Sequence, residues 1–423
     1  MNATILTFGS RGDVEPYLAL AAGLRREGHE INLVAPWSYH EWIASFGVTP
    51  RLARFDLGQF VRELEDEAAR GTNPIKRLSR MRRTFFEGLT NTLDDFLDAS
   101  GDADLVIAPG SALGALDIAA ARGVPAVIAR PIPLSPTRDF PSFMVPFRAS
   151  LGGAYNRWTE RLASRLTWRS YGPPLNKWRT SRLGLRPWNS HREITAEIRE
   201  RGVPTLNLHS PAVVPRPHDW DRTEHVTGYS FLEPAATWTP DKALQDFLES
   251  GPAPVCVGFG SMPLRDPEQR TRAVLEALGA TGQRGLVMTG GGGALTRVDA
   301  PDTVFFAESL PFHWLFPRMA AVIHHGGAGT TAAVLRAGVP GIILPHAIDQ
   351  FAWAHQIEKL GVGLRGPALR RLDAKLLSAL ITQATGDAEM RERASSKGLE
   401  ICAEDGVSRA VEVLQRYMLE LKR

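Results

Sequence analysis

Cysteine is scarce in this chain of 423 residues, which has only Cys256 and Cys402. Two thiols cannot form the disulfide framework of a small secreted scaffold, so we expect both to be reduced. Long apolar runs are also missing, since none approaches the roughly 20 residues of a membrane span. The N-terminus lacks the charged start and apolar core of a signal peptide. The sequence therefore predicts a cytoplasmic protein, at most peripheral to a membrane.

Excess charge is missing too, because the net charge is +3. So small a balance gives no argument for a nucleic-acid partner, and the chain has no RNA-binding signature. It has no zinc-ligand spacing and no clear metal cluster, so we expect no metal and no cofactor. The apolar share of 43% and the charged share of 22% are ordinary for a globular protein. The length favours two domains.

The common nucleotide-binding fingerprints are absent. After its first predicted strand the chain has Gly9-Ser10-Arg11-Gly12-Asp13, where a dinucleotide fold would have G-x-G-x-x-G. The second half has Gly258-Phe259-Gly260-Ser261-Met262-Pro263, which fails at the third glycine. No Walker-type P-loop occurs. These absences argue against a nicotinamide or flavin dehydrogenase and against an ordinary NTPase.

Strand–helix–strand patterns fill both halves of the chain. Apolar runs at 3–8, 31–35, 105–108 and 124–129 predict parallel strands, and 205–208 is predicted to be the last strand of the first half. The scheme restarts with runs at 255–259, 285–289, 303–306, 320–323 and 341–344. The pattern predicts an α/β fold with two Rossmann-like, doubly wound parallel-sheet domains facing a cleft. The predicted boundaries are 1–212, a proline-rich linker at 213–232, a second domain at 233–405, and a last helix at 406–423.

One stretch, His324-His325-Gly326-Gly327-Ala328-Gly329-Thr330-Thr331, links a predicted strand to a predicted helix. Such a turn aims backbone N–H groups and the positive end of the helix dipole at a ligand beyond the strand. The hypothesis is a diphosphate cradle, and the alternative is an ordinary glycine-rich turn. Because neighbouring residues leaving a strand point opposite ways, we expect His325 to face the ligand and His324 to be structural.

The first half carries a carboxylate, Asp13, at the end of its first strand. An anionic nucleotide would be repelled there and would bind the second half instead. Asp13 would then face it across the cleft, where it suits a general base that activates a hydroxyl nucleophile. The alternative is a helix cap, for which aspartate is favoured.

These motifs together resemble a known family. The run from Gly9 to Pro16, the stretch 324–331 and the pair Asp349-Gln350 resemble the inverting, nucleotide-sugar-dependent glycosyltransferases of GT-B fold. Within them the chain looks most similar to sterol 3-beta-glucosyltransferases and bacterial natural-product glycosyltransferases. The resemblance is dense from about 254 to 365 and sparse from about 50 to 200. It implies that the last helix crosses back onto the first domain.

The resemblance also implies roles for individual residues. Asp13 would deprotonate the acceptor hydroxyl, while Asp349 and Gln350 would bind the hydroxyls of the donor sugar. The backbone at Leu310 would meet the pyrimidine. The diphosphate would contact His325, Ser261 and the turn Gly327, Ala328, Gly329 and Thr330. A weaker expectation adds Ser10, Arg11, Gly12, Gly260 and Gly291 as donor phosphate loops. No metal is required by this scheme.

The nucleotide-sugar is expected to be UDP-glucose, with a dTDP-sugar as the alternative. Sterol-type enzymes usually show Pro-His-Asp-Trp where this chain has Pro311-Phe312-His313-Trp314, so the donor is less defined than the reaction. The expected function is transfer of a hexose to a hydroxyl of an apolar acceptor such as a sterol or macrolide. The rivals are a nucleotide-sugar epimerase and a non-catalytic nucleotide-sugar or lipid-binding protein.

Two further stretches concern the acceptor. Apolar residues in the proline-broken segment 131–147 suit an acceptor wall, with a packed loop as the alternative; they are Pro131, Phe140, Phe143 and Met144. Residues 148–192 contain nine arginines, one lysine and one acid, with four interleaved tryptophans. This stretch suits contact with an anionic membrane surface, or else a solvated helical face whose tryptophans turn into the core.

Overall fold

The structure, a computed structural model, describes the chain except for residues 8, 57–58, 61–62, 64–73, 110–113, 147–148, 150, 234–237, 261–265 and 291–292. Within helix 74–99, the side chains of 74–79 and 82 are also outside the description. Two parallel sheets, each covered by helices on both faces, organise the described residues.

The first sheet has seven strands in the order β3-β2-β1-β4-β5-β6-β7. Apolar runs buried on both faces form its central strands, as parallel sheets require. The strands are Asn2–Leu6, Glu30–Pro36, Thr49–Ala53, Leu105–Pro109, Ala126–Arg130, Thr205–Asn207 and Glu224–Val226, for β1 to β7. The helices of this half are α1 Arg11–Arg26, α2 His40–Ala44, α3 Pro74–Ala99, α4 Ala115–Arg122, α5 Gly153–Leu183 and α6 His191–Glu200.

The prediction that 205–208 is the last strand of the first half is wrong. Strand β7 pairs in parallel with β6, with Thr205 opposite Glu224. Its three residues, Glu-His-Val, are only partly buried, so no apolar run marks it in the sequence. The predicted linker range therefore contains one strand of the first sheet.

The second sheet has six strands in the order β10-β9-β8-β11-β12-β13. Its strands are Val255–Gly258, Gly285–Met288, Val304–Ala307, Ala321–His324, Gly341–Ile343 and Gly363–Arg365, for β8 to β13. The edge strand β13 was not among the predicted strands. The helices are α7 Lys242–Glu249, α8 Pro267–Ala280, α9 Phe312–Leu315, α10 Ala328–Ala337, α11 Gln350–Leu360, α12 Ala374–Gly386, α13 Ala388–Cys402 and α14 Gly406–Leu421.

The last helix, α14, packs against the first half rather than the second. Its apolar face joins the core beneath the first sheet, where Val407, Ala410, Val411 and Leu414 are buried with residues of α1. A Cβ at Gly406 would lie 2.3 Å from the carbonyl oxygen of Tyr229, so only glycine fits where the chain crosses back. The two halves are thus held together by the same helix that ends the chain.

Both sheets reverse their strand order at a central pair, β1 with β4 and β8 with β11. Parallel α/β sheets bind ligands beyond the carboxyl ends of the strands at such switch points. The loop that follows β1 carries Asp13, and the loop that follows β11 carries His325. The topology therefore puts both predicted motifs where a ligand would bind.

Candidate active site between the two halves

Asp13 is the third residue of α1, and its carboxylate belongs to a capping box with Ser10. Oδ2 accepts hydrogen bonds from the backbone N–H and the hydroxyl of Ser10, at 2.8 and 2.9 Å. The side chain is reached by solvent in a concave part of the surface, but surrounding protein atoms desolvate it and raise its pKa, against the lowering effect of the Ser10 bonds. The helix-cap role is therefore present, and it fixes one carboxylate oxygen in position.

The neighbours of Asp13 on the same turn have partners within the first half. Arg11 pairs with Glu15 at 2.9 Å and lies 4.7 Å from the ring centroid of Trp42. Gly12 is exposed, and a Cβ there would meet only the Ser10 hydroxyl, at 3.9 Å. The structure thus shows Ser10 bonded to Asp13 and Arg11 paired with Glu15, and the expected contact of Ser10, Arg11 and Gly12 with the donor phosphates stays a prediction.

The turn from β11 into α10 has the geometry of an anion site. Helix α10 begins after Gly327, which has an extended conformation and no side-chain cap. The first N–H groups of the helix, at 328–330, therefore lack intrahelical acceptors. Thr331 N–H and its hydroxyl both donate to the Gly327 carbonyl at 2.9 Å, so Thr331 closes the turn from inside. This arrangement leaves positive partial charge directed at the cleft.

Gly326 is required in this turn by its left-handed backbone, with a φ of 90°. A Cβ at this position would also lie 2.6 Å from Ile343 and 3.2 Å from the Gln350 carbonyl oxygen. The absence of a side chain at Gly326 lets the start of α11 approach the turn from β11 into α10. The two loops that carry His325 and Asp349 consequently pack against one another.

The two adjacent histidines have different environments. His324 is fully buried at the end of β11, and its Nδ1 accepts from the Gly326 N–H at 3.2 Å. Burial lowers the pKa of His324 to about 3. His325 is half-buried, its Nδ1 has no partner among the described residues, and burial lowers its pKa to about 4. Each histidine has one buried ring nitrogen without a partner among the described residues, Nε2 of His324 and Nδ1 of His325. The difference is that His324 lies entirely in the core, whereas the side chain of His325 is only half-buried.

The imidazole of His325 lies between two glycines. A Cβ at Gly327 would lie 2.6 Å from Nε2, and one at Gly260 would lie 3.4 Å from Cε1. Gly290 meets Gly260 closely, since a Cβ at Gly290 would lie 2.3 Å from the Gly260 carbonyl oxygen. The glycine turns that follow β8 and β11 therefore meet at one imidazole, and the turn after β9 packs against the β8 turn. The predicted contacts Ser261 and Gly291 lie outside the described residues.

Asp349 and Gln350 lie at the start of α11. The Asp349 carboxylate accepts from the indole N–H of Trp353 at 3.0 Å, and burial together with the charge of Asp13 raises its pKa to about 7. Gln350 is nearly buried, and its Oε1 accepts from the backbone N–H groups of His346 and Ala347 at 2.7 and 3.0 Å. The pair is thus rigidly presented at the carboxyl end of β12.

The residue before this pair is strained. Ile348 has a φ of 48°, a left-handed conformation that a β-branched residue rarely adopts. Such outliers persist only where their surroundings hold them, and they cluster at functional sites. Here the Gln350 side chain holds the preceding loop through its two backbone bonds. Leu310, the predicted base-contacting position, is half-buried in the loop between β10 and α9.

The four predicted acceptor residues divide into two groups. Phe143 is 1% exposed, and its ring packs edge-on against Trp353 of the second half with centroids 5.1 Å apart. Phe140 packs against Phe143 at 5.7 Å. Pro131 and Met144 are half-buried. Phe143 therefore lies in a hydrophobic contact between the two halves, which is the packed-loop alternative for that residue.

An aromatic cluster that the sequence analysis missed lies nearer to Asp13. Its members, which we call the aromatic basin, are Phe55, Phe60, Phe85 and Tyr171. Phe85 joins Phe55 at 6.4 Å and Tyr171 at 5.6 Å between ring centroids. Burial raises the pKa of Tyr171, and so does the negative charge of Asp13. The basin joins Phe55 and Phe60, which follow β3, to Phe85 of α3 and Tyr171 of α5, and no linear pattern connects residues so far apart in the sequence.

Helix α5 turns a basic face to solvent. Arg161, Arg165, Arg169 and Lys177 are exposed along one stripe, with Trp158 48% and Leu166 55% exposed. Trp178 and Trp188 are buried, and the one acid, Glu160, is buried beside Ser164. The helix therefore has a basic, exposed side, while two of the four tryptophans turn into the core; contact with a membrane stays a prediction. Among the described residues, no helix is both long and apolar enough to cross a bilayer.

Comparison with known proteins agrees with this geometry. The model of the glycosyltransferase family 28 N-terminal domain matches residues 3–141. The model of the erythromycin biosynthesis protein CIII-like C-terminal domain matches residues 274–415. The chain is 34% identical over 98% of its length to a sterol 3-beta-glucosyltransferase of Cryptococcus neoformans, of which it spans 27%. Thus the chain corresponds to about a quarter of that longer relative.

Solved structures give the same fold. The calicheamicin glycosyltransferase CalG4 superimposes with a TM-score of 0.66 at 19% identity, over 99% of this chain and 98% of that one. The glycosyltransferase SsfS6 of Streptomyces sp. SF2575, complexed with thymidine diphosphate, gives a TM-score of 0.59 at 16% identity, over 98% and 99%. Two parallel sheets, two family models matched in the same order and a match to a sterol 3-beta-glucosyltransferase over 98% of this chain show that the chain belongs to the glycosyltransferases of GT-B fold.

Proposed function

We propose that this protein transfers a hexose from a nucleoside diphosphate sugar to a hydroxyl of an apolar acceptor, with inversion at the anomeric carbon. The observation that carries the proposal is that a carboxylate of the first half faces an anion-binding turn of the second half. Asp13 of the first half acts electrostatically on Asp349 of the second, which sits beside the anion-binding turn. A base and an anion cradle on opposite sides of one cleft suit in-line displacement at a sugar carbon.

In the proposed reaction, the free acceptor hydroxyl gives its proton to Asp13 as its oxygen attacks the anomeric carbon. The bond from that carbon to the diphosphate breaks, and the diphosphate leaves with the electron pair. Its developing charge is met by the N–H groups at 328–330, the α10 dipole and His325. Asp349 and Gln350 hold the sugar hydroxyls. Because attack and departure take opposite faces, an α-linked donor gives a β-linked product.

Desolvation suits Asp13 to this role. Burial raises the pKa of the Asp13 carboxylate, so it binds a proton more firmly than a carboxylate in water and is a better base. Its Oδ2 is held by Ser10, which fixes the direction of the carboxylate. We expect transfer to survive EDTA, because the turn and His325 already supply stabilisation of the leaving charge. Full loss of activity in EDTA, restored by a divalent cation, would contradict this part of the proposal.

The donor is proposed to be UDP-glucose, because the sterol 3-beta-glucosyltransferase relative is named for glucose transfer. The thymidine diphosphate complex of SsfS6 makes dTDP-glucose the competing donor. Calorimetric titration with UDP, dTDP, UDP-glucose and dTDP-glucose decides between them. Tighter binding of UDP than of dTDP is expected, and the reverse order would overturn the choice of uridine.

We propose that the acceptor lies against the aromatic basin, with its hydroxyl directed at Asp13. Four rings offer a broad apolar surface suited to a flat polycyclic molecule. Phe85→Ala should raise the acceptor KM by about tenfold or more, since it removes a large part of that surface. The affinity for nucleotide should not change. An unchanged acceptor KM would place the acceptor elsewhere, with Pro131 and Met144 as the next candidates.

The experiment that tests the reaction incubates the protein with UDP-glucose and a panel of sterols, macrolides and flavonoids. Nucleotide release that depends on the acceptor, with a product heavier by one hexose, supports transfer. An NMR coupling constant typical of a β-anomer supports inversion. Conversion of the donor to another nucleotide sugar without acceptor would favour an epimerase. Tight binding without turnover on any acceptor would favour a binding protein.

We also propose that the basic stripe of α5 contacts an anionic membrane surface and brings a lipid acceptor within reach. Lys and Arg side chains beside exposed Trp158 and Leu166 are the composition of an interfacial helix. Co-sedimentation with phosphatidylglycerol vesicles should exceed that with phosphatidylcholine vesicles and fall with salt. The triple substitution of Arg161, Arg165 and Arg169 to Gln should remove it. No binding to anionic vesicles at low salt would contradict the proposal.

A further inference from the structure

Asp349 occupies the N-cap position of α11 without acting as a cap. An N-cap aspartate usually has an extended backbone and accepts from N–H groups of the first turn. Here the backbone is helical, with φ of −67° and ψ of −19°, and no side-chain cap bond is present. The carboxylate is instead turned to Trp353, whose indole Nε1–H donates to Oδ2 at 3.0 Å. The indole N–H of Trp353 is therefore the side-chain donor that directs this carboxylate, which also accepts from the backbone N–H of Asp349 itself.

Trp353 is itself fixed from the other half of the molecule. Its side chain is fully buried, and its ring meets Phe143 with centroids 5.1 Å apart and planes at 71°, an edge-to-face contact. The segment around Phe143 is tied to α5, because the Ser142 N–H donates to the hydroxyl of Thr159 at 2.9 Å. A chain of contacts therefore runs from the first half, through two aromatic rings, to a carboxylate of the second.

We propose that Trp353 is a positioning residue that, through its indole N–H and its contact with Phe143, holds the sugar-binding carboxylate of Asp349 in place and links it to the first half of the chain. The sugar-binding part of this inference rests on the proposed function. In this arrangement the donor sugar binds in its productive orientation only when the first half is packed against the second. Transfer is thereby favoured over hydrolysis in an incompletely assembled cleft.

The decisive variant is Trp353→Phe, which keeps an aromatic ring for Phe143 and deletes only the N–H. The chain offers a matched control, since Trp178 is equally buried and its Nε1–H donates to Asp94 Oδ1 at 2.9 Å. Trp178→Phe removes the same kind of hydrogen bond between α5 and α3 of the first half, without touching Asp349. A general loss of stability would therefore appear in both variants, whereas an effect on the position of Asp349 would appear only in Trp353→Phe.

Binding is read with UDP-glucose and UDP, and in parallel with dTDP-glucose and dTDP. Trp353→Phe should weaken binding of the sugar nucleotide about tenfold while leaving the free diphosphate unaffected, because only the sugar meets Asp349. Phe143→Leu should give a smaller change of the same kind. Equal ratios of sugar-nucleotide to diphosphate affinity in Trp353→Phe, Trp178→Phe and wild type would overturn the sugar-positioning part of the proposal.

A second readout does not depend on the proposed reaction. An indole bonded to a titrating carboxylate changes its fluorescence as that carboxylate ionises. The wild type should therefore show a fluorescence step near pH 7 that is absent in Asp349→Asn and in Trp353→Phe but present in Trp178→Phe. Absence of the step in wild type would overturn the indole–carboxylate link. If wild type shows the fluorescence step but Asp349→Asn binds the sugar nucleotide as tightly as wild type, the proposed sugar site is refuted instead.

Discussion

The carboxylates of Asp13 and Asp349 come from opposite halves of the chain and interact across the cleft. Burial raises the pKa of Asp349, the charge of Asp13 raises it further, and the result is about 7. Two acidic groups are thus held near each other in a partly desolvated space. Around neutral pH the protonation of one depends on the charge of the other.

Replacement of Asp13 by Asn should greatly slow transfer and lower the pKa of Asp349. General-base contributions are typically 10²–10⁴-fold, so we expect turnover to fall by at least about 100-fold. Loss of the negative charge should also lower the pKa of Asp349, which moves the wild-type fluorescence step to lower pH. Affinity for the nucleotide sugar should stay within about twofold. Glu15→Gln on the same helix is the control, because Glu15 is half-buried and its one ion-pair partner among the described residues is Arg11.

The stability of the fold should depend on pH through Asp349. Its folded-state pKa is raised from 3.8 to about 7, so the native state binds the proton more tightly than the unfolded chain. The stabilising contribution is therefore complete below about pH 4 and is lost as the pH rises through 7. Asp349→Asn removes the free-energy cost of ionising this carboxylate in the folded state. At pH 8 its free energy of unfolding should therefore exceed that of wild type by up to about 4 kcal/mol. Urea unfolding at pH 5 and pH 8 measures the difference, and equal pH dependence in both proteins would contradict it.

His325 and its neighbouring glycine should matter for the diphosphate. His325→Ala removes the unsatisfied imidazole and is expected to weaken UDP binding by about tenfold. Gly327→Ala should have a similar effect, since the new Cβ would lie 2.6 Å from His325 Nε2 and displace the ring. Gly279→Ala on α8 is the matched control, because its Cβ would meet no atom within 4 Å. Calorimetry with UDP would count against the cradle if all three variants bound like wild type.

Acid should destabilise the fold through its buried histidines. Burial lowers the pKa of His209 from 6.5 to about 4, so the unfolded chain takes up a proton that the native state refuses. The stability that this neutral histidine contributes is complete above pH 6.5 and is lost as the pH falls toward 4. The loss is about 3 kcal/mol over that window. His209→Gln should flatten the pH dependence by this amount, and an unaltered slope between pH 6.5 and pH 4 would refute the assignment.

The sequence predicted those parts of the fold that depend on strong local patterns. The strand before His324, the helix 350–360 and the three terminal helices follow from apolar periodicity closed by glycine, proline or capping residues. The short strands 224–226 and 363–365 could not be predicted, because three residues at a sheet edge, mostly partly buried or exposed, carry no hydrophobic pattern. Their position is set by the neighbouring strand, which is a tertiary effect.

The candidate site likewise has parts that the sequence predicts and parts that it does not. The turn at 324–331 could be predicted, because glycines between a strand and a helix have a direct physical meaning. The aromatic basin could not, since Phe85 and Tyr171 meet only through the packing of α3 on α5, and Phe55 joins them from the segment after β3. Phe143 illustrates the converse, because an apolar residue in a loop can line a ligand or fill an interface. Only the position of Trp353 shows that it fills an interface.

Acceptor-dependent release of nucleoside diphosphate tests the central claim most directly. Wild type, Asp13→Asn and Glu15→Gln are each incubated with UDP-glucose and the acceptor panel, and the products are weighed by mass spectrometry. The account predicts a hexosylated acceptor and matching UDP release from wild type and Glu15→Gln, with at least about 100-fold less of both from Asp13→Asn. Transfer by Asp13→Asn at the wild-type rate, or no hexosylated product from any acceptor and donor, would contradict it.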